Sequence, residues 1–251
     1  MLVSARGAAT GYDGRPVLTD LDLAVSEGER IGVLGPNGGG KTTLFRLLTG
    51  ELRPLAGELE VRADSATVPQ TERTRLDFPV TALDVALLGS IPRLPWWGRP
   101  RREERRRAHD ALARVGLDDL AHAPYGELSG GQRQRVLIAR VLVQNARIIL
   151  LDEPFTGLDR VSAERLRGLI DALAAEGRAV LISTHEVDEA CAWDQVLCLN
   201  RRQVAFGPPR EILTRAVIEE TYGAELVELD APASGGGRIG VLGPHHHEEA
   251  P

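Results

Sequence analysis

The stretch GPNGGGKT (Gly35–Thr42) carries the most specific chemistry in the chain. It fits the spacing G-x-x-x-x-G-K-[ST], with the apolar run RIGVL before it and the helix-like TTLFRLL after it. That strand–loop–helix context is what the spacing needs in order to hold phosphate. Gly35, Gly38, Gly39 and Gly40, with Pro36 and Asn37 between them, free backbone N–H groups to curl around phosphate oxygens. The helix that follows adds the positive end of its dipole. Lys41 would reach the β- and γ-phosphates as a point charge, Thr42 would offer its hydroxyl to Mg²⁺, and Thr43 completes the helix start. Of the 30 Lys plus Arg residues, only Lys41 is lysine. The wide planar fork of arginine does not fit such a cradle, which gives a physical reason for the exception. The heptad RIGVLGP recurs at Arg238–Pro244, followed by HHHEEAP with no glycine and no lysine. That second copy reads as a strand and turn without a phosphate site.

Two further stretches bear polar groups at chemically useful places. RIILLDEPF (Arg147–Phe155) is an apolar strand that delivers Asp152 and Glu153 at its C-terminal end, where α/β sheets place ligands. Asp152 would hold Mg²⁺, and Glu153 would orient and polarise a water for attack on the γ-phosphate. In isolation such an acidic pair is often a helix cap; beside the glycine-rich loop it becomes a catalytic pair. In ELSGGQRQRV (Glu127–Val136), Ser129, Gly130, Gly131 and Gln132 open a second helix with anion-binding character. One nucleotide is already wrapped by the first loop, so the second cradle needs its own explanation.

These residues demand a scaffold of alternating strands and helices, and the periodicity supplies one. VLTDLDLAVSEGERIGVLG reads as an alternating strand, a turn at Glu27–Gly28 and a buried strand ending at Leu34. GELEVRADSATVPQ holds two more short strands. From Thr81 to about Leu128 the period turns helical, with Thr81 and Asp84 as a cap and RREERRRAHDALARVG as an amphipathic helix stopped by Gly116. Then come a helix over Gly131–Gln144, a strand over Ile148–Leu151, a helix over Ser162–Ala175, a strand over Ala179–Ser183 and a helix near Asp188–Trp193. The expectation is an α/β core with a mostly parallel sheet. One domain spans residues 1–230, a helical subdomain over about 81–145 is inserted in it, and residues 231–251 form a flexible linker and tail.

With these motifs in this order the chain resembles the ATP-binding cassette family over about Leu2–Thr214. The resemblance implies a P-loop fold with an N-terminal antiparallel β subdomain, and ATP hydrolysis with Mg²⁺. It makes Tyr12 the aromatic that stacks on adenine, and Gln70 the glutamine linking Mg²⁺ to the helical insertion. Asp159 in TGLD (Thr156–Asp159) belongs to the D-loop, and His185 is the switch histidine near the γ-phosphate. It also implies a dimer on ATP binding, in which LSGGQ of one copy covers the nucleotide of the other. Gly39 departs from the family's usual small side chain and is expected to leave the loop slightly looser. Phe78–Pro100 and Leu199–Thr214 look like segments of the manganese-, zinc- and iron-type metal importer ATPases, with siderophore and cobalamin importers as the alternative. The implied setting is the cytoplasmic face of a membrane permease, with an extracellular or periplasmic solute-binding protein beyond it.

The bulk numbers agree. A composition 43% hydrophobic and 26% charged is that of a globular protein, and no apolar run reaches membrane-spanning length. A formal charge of −6 argues against a protein that coats nucleic acid. Neither long coiled coils nor zinc modules, as in non-transport relatives acting in DNA repair or translation, occur between Leu2 and Thr214. Cys191 and Cys198 have no ligand-pair spacing and read as core residues. Three features stay open: PWWG as a docking knob or a packed loop, Arg101–Arg107 as a solvated face or a lipid contact, and HHHEE as an inert tail or a metal sensor.

Overall fold

The structure, a computed structural model, describes residues 1–69, 79–95, 98–223, 226–229 and 238–241. Gln70, the Trp96–Trp97 pair, the glycine-rich stretch Ala231–Gly237 and His245–Glu249 lie outside the described residues. In chain order, β1 (Val3–Tyr12), β2 (Arg15–Val25) and β3 (Arg30–Leu34) precede α1 (Lys41–Leu48), β4 (Pro54–Val61) and β5 (Ser65–Val68). Helices α2 (Ala82–Leu87), α3 (Arg102–Arg114) and α4 (Gly130–Gln144) follow, then β6 (Ile148–Leu151), α5 (Arg160–Ala175) and β7 (Ala179–Thr184). Last come α6 (Val187–Ala190), β8 (Gln195–Leu199), β9 (Gln203–Gly207), α7 (Pro209–Ile212), α8 (Arg215–Tyr222), β10 (Leu226–Leu229) and β11 (Arg238–Val241). The expected boundaries hold to within a few residues.

The chain forms two compact units. The first comprises Met1–Val3, Ala24–Arg30 and Glu60–Ser183. In it β5, β6 and β7 pair in parallel, with Val68 opposite Leu151 and Leu151 opposite Ile182. All four residues of β6 are buried, as a continuous apolar run in a parallel sheet requires. The helical segment starts on a reciprocal cap: the Thr81 hydroxyl accepts from Asp84 N–H and the Asp84 carboxylate accepts from Thr81 N–H. Helix α3 ends at Gly116, whose φ of 67° suits glycine. There Gly116 N–H donates to Ala113 and Leu117 N–H to Leu112, closing the terminal carbonyls.

The second unit comprises Ser4–Leu23, Ile31–Leu59 and the chain from Thr184 onward. Its three-stranded sheet has the order β2-β1-β4. Asp13 and Gly14, both at positive φ (50° and 73°), form the two-residue turn that makes β1 and β2 antiparallel neighbours. Here β3 lies parallel to β8, and β8 antiparallel to β9. Leu34, Val187, Ala190, Val196, Cys198 and Ile218 pack together as a core. The α/β class with parallel pairing and an antiparallel N-terminal portion is therefore as expected.

One expectation needs correction. Cys198 is buried but Cys191 is exposed. Val187 and Ala190 are the residues that short α6 turns inward, and Cys191 falls just past its end. Within the second RIGVLGP copy, read as a strand and turn, β11 pairs antiparallel with β10, Leu226 opposite Val241 and Leu229 opposite Arg238. Among the described residues no helix is long and apolar enough to cross a membrane.

Candidate functional site

In the second unit β3 runs buried to Leu34 and releases the chain into the glycine loop. Gly35 leaves no room for a side chain, since a Cβ there would lie 2.2 Å from the Leu199 carbonyl oxygen. Gly38 and Gly40 take φ of 76° and 106°, where an L side chain is strained. Gly40 is the N-cap of α1, whose first turn contains no acidic residue, so the positive helix end is not neutralised from within. Asn37, Gly38 and Thr42 are exposed, whereas Gly39, Gly40 and Thr43 are buried. The Lys41 side chain is buried, and its ammonium donates to the carbonyl oxygens of Gly35 (2.7 Å) and Pro36 (3.3 Å).

The loop is not looser for having Gly39. Gly39 N–H donates to Pro36 O at 3.0 Å, and Arg201 N–H donates to Gly39 O at 2.8 Å. A Cβ at this position would meet Pro36 O at 3.0 Å and Leu199 O at 3.1 Å, so the absent side chain lets the backbone close in. Tyr12, at the end of β1 and 38% exposed, has the Arg46 guanidinium 5.8 Å from its ring centroid and accepts from Arg46 at its hydroxyl. A cavity of about 530 Å³ borders the outer lip of the loop, lined by Val17, Gly38, Arg201 and Arg202 among others.

His185 follows β7 and is exposed. Its turn is held on both sides. The Thr184 hydroxyl donates to Glu189 and accepts from Glu186 N–H, and the Tyr222 hydroxyl donates to the His185 carbonyl at 2.7 Å. Tyr222, at the end of α8, has no sequence signal that would have singled it out.

In the first unit Asp152 directly follows β6, its N–H donating to Val68 O, and its side chain is buried. Glu153 stands at φ 45°, an uncommon backbone state for a residue with a side chain. Ser183, fully buried in β7, donates its hydroxyl to Asp152 Oδ1 at 2.6 Å and accepts from Glu153 N–H at 2.9 Å. Sequence reasoning passed over Ser183, although a polar residue in the otherwise apolar run AVLI was a usable signal.

The second anion-type helix start is also intact. Ser129 caps α4: its hydroxyl accepts from Gln132 N–H (3.3 Å), and the Gln132 side chain accepts from Ser129 N–H (2.8 Å). Ser129 and Gly130 are exposed, and the first turn of α4 lacks acidic residues. A Cβ on Gly131 would lie 3.5 Å from Leu158 and 3.6 Å from the Ser162 hydroxyl, so the start of α4 lies against the TGLD turn. Asp159 is the N-cap of α5, and the N–H and then the hydroxyl of Ser162 hold its carboxyl below the usual carboxylate range.

The donor chemistry suits Mg²⁺. The Asp152 carboxylate in the first unit and the Thr42 hydroxyl in the second are each hard oxygen donors of the kind that Mg²⁺ takes.

Residues 18–156 match the family model described as ABC transporter. The chain is 36% identical over 236 residues to the manganese transport system ATP-binding protein MntB of Bacillus subtilis, covering 90% of this chain and 94% of that one. It is 37% identical over 224 residues to the zinc transport system ATP-binding protein TroB of Treponema pallidum, covering 86% and 84%. A solved ABC transporter described as of metal-chelate type, in an inward-facing conformation, superposes with a TM-score of 0.83 at 29% identity over 96% of this chain and 97% of that one.

Proposed function

The chain belongs to the ABC transporter family, an ATPase that couples ATP hydrolysis to transport, and on that premise we propose that it powers uptake of a transition metal, manganese, zinc or iron. The observation that carries the cargo assignment is the near full-length similarity to ATP-binding proteins of manganese and zinc transport systems. We assign residue roles from the family motifs, and for the described residues the local geometry supports the assignment. Tyr12 stacks on adenine; Gly35–Gly40 and Lys41, with Thr43 at the start of α1, hold the phosphates. Thr42 and Asp152 hold Mg²⁺, with Gln70 joining them, and Glu153 and His185 act on the attacking water and the γ-phosphate. Mg²⁺, when bound, neutralises charge developing on the phosphate oxygens.

Two copies bind ATP head to tail, Ser129–Gln132 and Asp159 of one copy facing the nucleotide of the other. The open, acid-free start of α4 supports this role. The subunit sits peripherally on the cytoplasmic face of a permease that is served by a solute-binding protein. Exposed Leu88 and Ile91 on the helical segment support such a docking face. The metal-chelate description of the solved transporter supports a chelated metal as the second reading.

Total manganese, zinc and iron in cells carrying wild type or Glu153→Gln tests the proposal. A selective fall of one metal in the variant names the cargo. Unchanged levels of all three, with the variant expressed and unable to hydrolyse ATP, refute metal import.

A further inference from the structure

We propose that Ser183 is a positioning residue for ATP hydrolysis, fixing Asp152 and Glu153 together from the neighbouring strand. The inference deepens the functional reading above and rests on its assignment of Asp152 to Mg²⁺ and Glu153 to the attacking water.

β6 and β7 are parallel neighbours, with Leu151 opposite Ile182, so the residue after each pair, Asp152 and Ser183, leaves the sheet side by side. Ser183 is fully buried, and its hydroxyl is used in both directions. The O–H donates to Asp152 Oδ1 at 2.6 Å, a short bond of the charge-assisted kind, while the oxygen accepts from Glu153 N–H at 2.9 Å. The first bond sets the rotation of the carboxylate that would hold Mg²⁺. The second holds the backbone of Glu153 in its φ 45° state, and with it the direction in which the Glu153 side chain leaves the chain.

Only a small group that both donates and accepts does this. Alanine, valine or isoleucine at 183 would continue the apolar strand but remove both bonds, in a place too buried for water to replace them. Residues one step behind a metal ligand act by orienting it, and their removal lowers metal affinity or activity by about 10- to 100-fold.

The test compares wild type, Ser183→Ala, Ser183→Thr and Glu153→Gln. It measures ATPase kcat and KM, Mn²⁺ affinity of the ADP complex by electron paramagnetic resonance, and the melting temperature. The expected result for Ser183→Ala is a loss of about tenfold or more in kcat and a matching weakening of Mn²⁺ binding. KM for ATP changes by less than about twofold, and Ser183→Thr, which keeps the hydroxyl, recovers turnover. A purely structural serine would lower the melting temperature without moving Mn²⁺ affinity. Wild-type kcat and Mn²⁺ affinity in folded Ser183→Ala overturn the inference. Should that variant not fold, Ser183→Cys, of similar size but weak in hydrogen bonding, decides by the same two readouts. Continued turnover in Glu153→Gln would instead overturn the underlying role of Glu153; an inactive Glu153→Gln beside an active Ser183→Ala fails the positioning claim alone.

Discussion

The ammonium of Lys41 donates at 2.7 Å to the carbonyl oxygen of Gly35, the first residue of its own loop. A second bond reaches Pro36 O at 3.3 Å, and the side chain is only 6% exposed. These two bonds hold the ammonium against the backbone of its own loop. A guanidinium is too broad for this place and too rigid to point between the phosphates. Lys41→Arg is expected to lose about 10²-fold or more in ATPase kcat/KM, the scale for deleting one donor to developing charge. Steady-state ATPase assays check it, with a melt to show that the fold persists.

Tyr12 presents its ring beside Arg46 and is accessible enough to take a base. Stacking on an aromatic contributes about 1–3 kcal/mol when tested by alanine substitution. Tyr12→Ala should therefore weaken ATP binding by roughly 5- to 150-fold, whereas Tyr12→Phe stays near wild type. Titration calorimetry with ATP distinguishes the two.

Gly130 lies at the open start of α4, and a Cβ there meets nothing within 4 Å. Gly130→Asp should therefore fold, its carboxylate even favoured by the helix dipole. The same charge repels a γ-phosphate offered by another copy. In a Glu153→Gln background, ATP is expected to drive dimerisation, and adding Gly130→Asp to abolish it while ATP binding to the single chain persists. Size-exclusion chromatography with and without ATP reads this out.

The Thr81 hydroxyl, as the largest influence, holds the Asp84 carboxyl below the usual carboxylate range. The sign follows from a lowered folded pKa: the stabilisation is present above the unfolded value near about 4 and is lost as pH falls through the lower folded value. Thr81→Ala should cost about 1 kcal/mol at neutral pH. Melts taken from neutral to about pH 3 should show less acid sensitivity in Thr81→Ala than in wild type.

Much of this was legible in the sequence because local chemistry dictated it. Gly116 stops α3 because a left-handed residue was needed there, and β6 occupies Ile148–Leu151 because a buried parallel strand must be apolar throughout. The phosphate loop announces itself through glycines whose backbone has no alternative. Pairings across the chain were not legible. Ser183 meets Asp152 only because β6 and β7 share a register, and Tyr222 reaches His185 only because α8 returns to it. Cys191 was misjudged because α6 is a single turn, too short for its periodicity to say which residue faces inward. The effect of Gly39 was misjudged for a related reason. Tightness there depends on Leu199 and Arg201, far away in sequence.

The most direct test of the proposed metal uptake is transport in vesicles by this subunit reconstituted with the permease that co-purifies with it, with ATP on the side of the subunit and a candidate solute-binding protein on the other. The account predicts ATP-dependent movement of manganese, zinc or iron into the ATP-containing compartment, abolished by Glu153→Gln. ATP hydrolysis without movement of any of these metals, free or chelated, would contradict it.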